Sequence, residues 1–101
     1  TITSWFDTIS EEEQNLAREY LCDYNTPTSE LYTSFICLIM RSNAKLCIIP
    51  MQDYLGYDDS CRLNEPSTLG KNWKWRLKNE DLSDSLKQTI YRIAELYGRL
   101  K

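Results

Sequence analysis

Apolar positions recur at helical spacing in three stretches of this chain. Leu16, Ala17, Tyr20 and Leu21 sit three and four apart, which predicts a helix with one apolar face. Ser10, with Glu13 three residues on, marks its start as a capping box, and Glu11 to Glu13 put acids where the helix dipole favours them. Asn25 and Pro27 are expected to end it. A second helix is predicted over 29–42, with Leu31, Phe35, Leu38 and Ile39 as its spine. Ile36, Cys37 and Met40 make it apolar on nearly all sides, the pattern of an element covered on several faces. A third begins at Ser83, a good cap followed by Asp84, and turns Leu86, Ile90, Ile93, Ala94 and Tyr97 inward before Gly98 closes it.

Between the second and third helices the pattern changes. Leu46 to Ile49 is a short apolar run closed by Pro50, and it reads as a buried strand. No second strand is evident, and a lone strand cannot satisfy its own backbone groups. It is then a helix extension, a strand paired with another copy, or a strand whose partners lie elsewhere. Gln52 to Leu55 fits one helical turn with Gly56 as its left-handed cap. From Tyr57 to Arg76, broken by Pro66 and Gly70, no period is sustained. The expected fold is therefore mainly α, three main helices with one short strand segment.

Composition narrows the function. A length of 101 residues allows one domain or a piece of one, and 42% hydrophobic residues argue against wholesale disorder. The formal charge of −3 disfavours a basic nucleic-acid binder. No apolar run approaches spanning length, and the N-terminus lacks the order of a signal peptide. The absence of an initial Met and of a natural-looking tail leads to the expectation of a piece of a longer protein. Cys22, Cys37, Cys47 and Cys61 contain no C-x-x-C and there is no histidine, so a zinc site of finger or ribbon type is not expected. All four are expected to be reduced thiols.

Candidate chemistry concentrates in residues 51–76. Without histidine, Ser-His and Cys-His nucleophiles are excluded within the chain, and the three glycines are too scattered for a phosphate cradle. Asp53, Asp58, Asp59 and Glu65 could supply the paired carboxylates of glycoside chemistry. Asp58 and Asp59 read more simply as turn acids. Asp53 follows the strand segment, where barrel active sites are built, and could equally be a helix cap. In "KNWKWRLK", tryptophans beside basic residues could stack bases. The acidic balance elsewhere disfavours this; the Trp-x-Trp alternation reads more simply as one ring facing the core and the other a neighbour or the surface, and Arg76 could ion-pair with a buried acid.

The stretch "IPMQDYLGYDDSCRLNEPSTLGKNWKWRL" resembles the C-terminal signature of the 4-α-glucanotransferases, also called amylomaltases or disproportionating enzymes. The matching residues are Pro50, Gln52, Asp53, Leu55 and Gly56, then Arg62, Leu63, Asn64 and Pro66, and finally Asn72, Trp73, Trp75 and Arg76. "TITSWFDTISEEE" looks like the family segment just after a His-Asp-Asn motif, and "AELYGR" like its last helix. "YDDS" departs from the family's small Gly-containing turn, and Leu63 stands where Met is usual.

The resemblance implies that residues 1–101 are a single C-terminal fragment of a catalytic (β/α)₈ barrel domain from a bacterial cytoplasmic enzyme. Leu46 to Ile49 would be its last barrel strand and the 29–42 helix a barrel helix. The implied activity is retaining transfer of α-1,4-glucan segments between maltooligosaccharides, without metal or organic cofactor. None of the family's catalytic carboxylates maps onto this chain, so the fragment alone is expected to be inactive. Asn64 is the implied sugar-contacting amide. Gln52, Asp53, Arg62, Trp73, Trp75 and Arg76 are implied as loop support. The substrate would be an α-glucan, with no nucleic acid and no membrane as partner, and the fragment could self-associate through surface the barrel covers. The competing reading is an autonomous helical interaction module.

Overall fold

A computed structural model describes residues 1–62 and 73–100. The chain opens with a helix that the apolar pattern had not flagged, α1 (Ile2–Thr8). Its signal was present: Ile2, Trp5, Phe6 and Ile9 follow helical spacing, and the Thr1 side chain accepts from the Ser4 N–H. Helix α2 (Glu11–Leu21) starts as expected, with Ser10 Oγ accepting from the Glu13 N–H at 3.2 Å. It ends well before Asn25 and Pro27. Cys22 adopts the left-handed conformation (φ 55°), its N–H and that of Asp23 reaching back to the last turn's carbonyls. A side chain in that conformation is strained by about 1–2 kcal/mol, and Asp23 locks the exit. Its carboxylate accepts from Thr26 N at 3.1 Å, Thr26 Oγ1 at 2.7 Å and Ser34 Oγ at 2.5 Å.

The second expected helix is shorter than 29–42. Thr28–Glu30 form a 3₁₀ turn, and the α-helix α3 runs only over Tyr32–Met40. The φ of Pro27 and the polar Asp23–Ser34 tie set the chain's entry. At the other end Arg99 donates to Met40 O (2.7 Å) and Ser42 O (3.2 Å), satisfying carbonyls the helix leaves free. One turn of helix, α4 (Met51–Tyr54), follows Pro50, with Gly56 left-handed (φ +71°) as expected. Helix α5 (Asp84–Leu96) begins at Ser83, whose side chain accepts from Leu86 N, and is followed by left-handed Gly98.

The strand expected at Leu46–Ile49 is not formed: the described residues contain no strand. None of these four backbones bonds to another backbone group among the described residues. Leu46 and Ile48 are exposed, while Cys47 and Ile49 are half-buried. The alternation of a strand is kept while the ladder is absent, because a ladder needs a neighbour.

The core is small. Phe6, Leu21 and Leu31 are buried together, with Ile9, Ala17, Phe35 and Leu38 packed around them. Ile36 and Met40 are also buried. The apolar face read from α2 is only half used: Ala17 and Leu21 turn inward, whereas Leu16 and Tyr20 are 66% and 74% exposed. Helix α3 is likewise not covered all round, since Ile39 is exposed. The inner face expected of α5 is its less exposed one, although none of its residues is fully buried. All four cysteines are free thiols.

Candidate functional site

The turn at 58–62 folds back against the flank of α1 and makes a cleft of about 370 Å³. Thr1, Ser4, Trp5 and Thr8 line it from α1, and Asp59 and Arg62 from the turn. Helical spacing explains the first group, because positions three and four apart share one side.

Five contacts fix the two walls. Asp53 Oδ1 accepts from the Ile2 N–H at 2.9 Å, so Asp53 does cap a helix, though it is α1 and not its own. Gln52 is buried and its Nε2 donates to Cys61 O at 3.1 Å, bracing the turn from α4. Asp59 N donates to Ser4 Oγ at 2.9 Å. Asp59 Oδ1 accepts from the Thr1 nitrogen at 2.7 Å and from Thr1 Oγ1 at 3.1 Å. Asp58 accepts from the hydroxyl and the N–H of Ser60, which lower its pKa. Both acids serve the turn, as the simpler reading held.

On the far side of residues 63–72, a second group of contacts gathers. Trp75 is half-buried and meets Tyr57 edge-on, with ring centroids 6.4 Å apart. Trp73 is exposed and left-handed (φ 64°), so the tryptophan pair splits between inside and outside as expected. Arg76 Nη1 donates to the carbonyls of Trp73 (2.7 Å) and Trp75 (2.9 Å). Its partners among the described residues are thus carbonyls. The Tyr57 hydroxyl donates to Asp81, which also accepts from Lys78 N at 2.9 Å. This hydrogen bond raises the Tyr57 pKa and lowers that of Asp81.

Of the residues singled out from sequence, Gln52, Asp53 and Arg62 gather around the cleft. Trp75 and Arg76 belong to the second group, which Trp73 joins through its carbonyl. Asn64, Leu63, Glu65, Pro66 and Asn72 lie outside the described residues. Sequence reasoning missed Ser4, Trp5, Thr8, Tyr57 and Asp81. The first three were legible as one side of a short helix; the Tyr57–Asp81 pair, 24 residues apart, had no local signal. Among the described residues no group of three His, Cys, Asp or Glu could hold a metal ion. None of their helices is long and apolar enough to cross a membrane.

Comparison with known proteins gives one family. Residues 1–83 match the profile described as 4-alpha-glucanotransferase. The 4-alpha-glucanotransferase of Synechocystis sp. is 40% identical over 98% of this chain, which spans 19% of that protein. The chloroplastic/amyloplastic 4-alpha-glucanotransferase of Arabidopsis thaliana is 38% identical over 99% of the chain and 18% of its own length. An amylomaltase from Streptococcus agalactiae, solved in complex with acarbose, superposes on all of the chain with a TM-score of 0.90 at 28% identity, over 20% of its own chain. The chain therefore spans about a fifth of the length of the relatives it matches.

Proposed function

The chain belongs to the 4-alpha-glucanotransferase family, and on that premise we propose that the protein carrying it transfers α-1,4-glucan segments between maltooligosaccharides. The observation that carries this is the match along nearly the whole chain in sequence and along all of it in backbone, rather than any one residue. The proposed reaction is a retaining double displacement. One carboxylate forms a glycosyl-enzyme bond while a carboxyl group about 5 Å away protonates the leaving oxygen, then deprotonates the acceptor hydroxyl. Transfer exceeds hydrolysis when a bound acceptor excludes water from the intermediate.

In this reading the 101-residue segment supplies support and substrate contacts, and by itself it is inactive. Its best-placed acids are already engaged: Asp53 on Ile2 N, Asp58 on Ser60, and Asp59 on Thr1. Asn64 is the proposed sugar-contacting amide, and Gln52, Asp53, Arg62, Trp73, Trp75 and Arg76 are proposed to hold its loop. Leu46 to Ile49 is proposed as a barrel strand that forms its ladder only against preceding strands, and exposed Leu16, Tyr20, Leu46 and Ile48 as surface covered by the rest of the protein. A bacterial cytoplasmic setting remains part of the proposal.

The test is maltotriose disproportionation by the full coding product, read as glucose release. Release is expected, and Asn64→Ala is expected to reduce it at least tenfold, about 1.4 kcal/mol of barrier. A full-length protein that releases no glucose overturns the transferase reading; unchanged release by the variant removes Asn64 from the site. An open reading frame starting with Met near Thr1, with no barrel upstream, would favour the free-standing interaction module.

A further inference from the structure

The chain leaves α4 at Gly56 and enters α5 after Ser83, and one residue ties the two ends together. Tyr57 stands at the exit, its N–H donating to Gln52 O at 2.9 Å, so its backbone is fixed to α4. Its hydroxyl donates to Asp81, which closes the 3₁₀ turn Asn79–Asp81 just ahead of the Ser83 cap. Its ring meets Trp75 edge-on, with centroids 6.4 Å apart and planes at 76°. Of residues 73–81, only Trp75 and Asp81 are half-buried; the others are exposed. Both of these half-buried side chains rest on Tyr57.

The returning limb takes its shape from that anchorage. Asp81 Oδ2 accepts from Lys78 N at 2.9 Å, and Arg76 Nη1 binds the carbonyls of Trp73 and Trp75. Trp73 is thereby held left-handed at φ 64°, a conformation that a non-glycine residue keeps only where its surroundings over-determine it. The outgoing turn is braced separately, by Gln52 Nε2 on Cys61 O and by the Asp59 N–H on Ser4 Oγ. Removing the Tyr57 hydroxyl should therefore loosen the limb over 73–81 and leave the turn at 58–62 in place. A phenol suits this junction, because its ring packs on an indole while its hydroxyl makes a charge-assisted bond to a carboxylate.

We propose that Tyr57 and Asp81 form a clasp that fixes the 73–81 limb against α4, and that both are thereby positioning residues for the transfer reaction. The clasp rests on the geometry; its effect on transfer rests on the transferase reading, which puts this segment's substrate contact between α4 and α5. Full-length protein is compared with Tyr57→Phe, which keeps the ring on Trp75, and with Asp81→Ala. Trypsin cleavage after Lys74, Arg76 and Lys78, read by mass spectrometry, is expected to be about fivefold faster or more in both. In maltotriose disproportionation KM should rise about threefold or more with kcat little changed, since a misplaced contact is lost equally from bound substrate and transition state. The double variant should be no worse than Asp81→Ala, because both changes break the same bond. Gly98→Ala, outside the limb, should leave both readouts unchanged, which separates the clasp from a general loss of stability. Should Asp81→Ala fail to fold, Tyr57→Phe carries the comparison alone. Unchanged cleavage in folded Tyr57→Phe, faster cleavage without the rise in KM, or additive losses in the double variant overturn the proposal. A parent protein that releases no glucose yet shows the cleavage difference sinks the transferase reading and leaves the clasp standing. A working transferase that shows neither difference sinks the clasp alone.

Discussion

Gly56 offers the sharpest test of the packing. It caps α4 in the left-handed region at φ +71°, directly under the ring of Tyr32, the first residue of α3. A methyl group added there would lie 2.5 Å from Tyr32 Cε1 and 2.8 Å from Cζ, against about 3.5–4.0 Å for an unstrained carbon contact. Two costs follow for Gly56→Ala. The left-handed backbone costs an alanine about 1–2 kcal/mol, and relieving an overlap of this depth costs about 1–3 kcal/mol more. Gly98 provides the control, since it has the same φ of +71° and nothing within 4 Å of an added methyl. Gly98→Ala should therefore cost only the backbone term. Urea unfolding followed by circular dichroism is expected to rank Gly56→Ala below Gly98→Ala by about 1–3 kcal/mol, or about 4 °C or more in Tm. Tyr32→Ala combined with Gly56→Ala should recover most of the excess, giving a coupling of comparable size. Equal losses at the two glycines, or no coupling to Tyr32, would refute the argument that this contact sets the α3–α4 approach.

Two further predictions concern the polar ties. Asp23 is held at a pKa of about 2, first by the Ser34 hydroxyl and then by Thr26, so its folded value lies below the ordinary 3.8. Stabilisation by its carboxylate is then complete above pH 3.8 and lost as pH falls towards about 2; Ser34→Ala should move the Asp23 NMR titration upward, and an unmoved midpoint would exclude Ser34 as the main cause. Tyr57→Phe keeps the ring against Trp75 but removes the donor to Asp81, so the Asp81 carboxyl should titrate closer to its usual range, whereas an unchanged Asp81 midpoint would show that the Lys78 N–H alone depresses it.

The sequence was sufficient where structure depends on a few consecutive residues. The Ser10 and Ser83 caps and the left-handed turns at Gly56 and Gly98 all formed where the residues called for them, because each is settled within one helical turn. The family was also legible, since an ordered set of residues survives without knowledge of their contacts. What failed was whatever required a distant partner. Helix α2 stops at Cys22, a residue with no turn preference, because Asp23 finds Ser34 on the next helix. The run at Leu46–Ile49 keeps a strand's alternation without becoming one, because its hydrogen bonds need a neighbouring strand. The candidate site divides in the same way. Gln52, Asp53 and Arg62 were marked by sequence, but only the tertiary fold sets Asp53 on the start of α1 and Asp59 and Arg62 beside Trp5. Those pairs lie more than fifty residues apart along the chain, and burial and unpaired backbone donors, rather than local preference, bring them together.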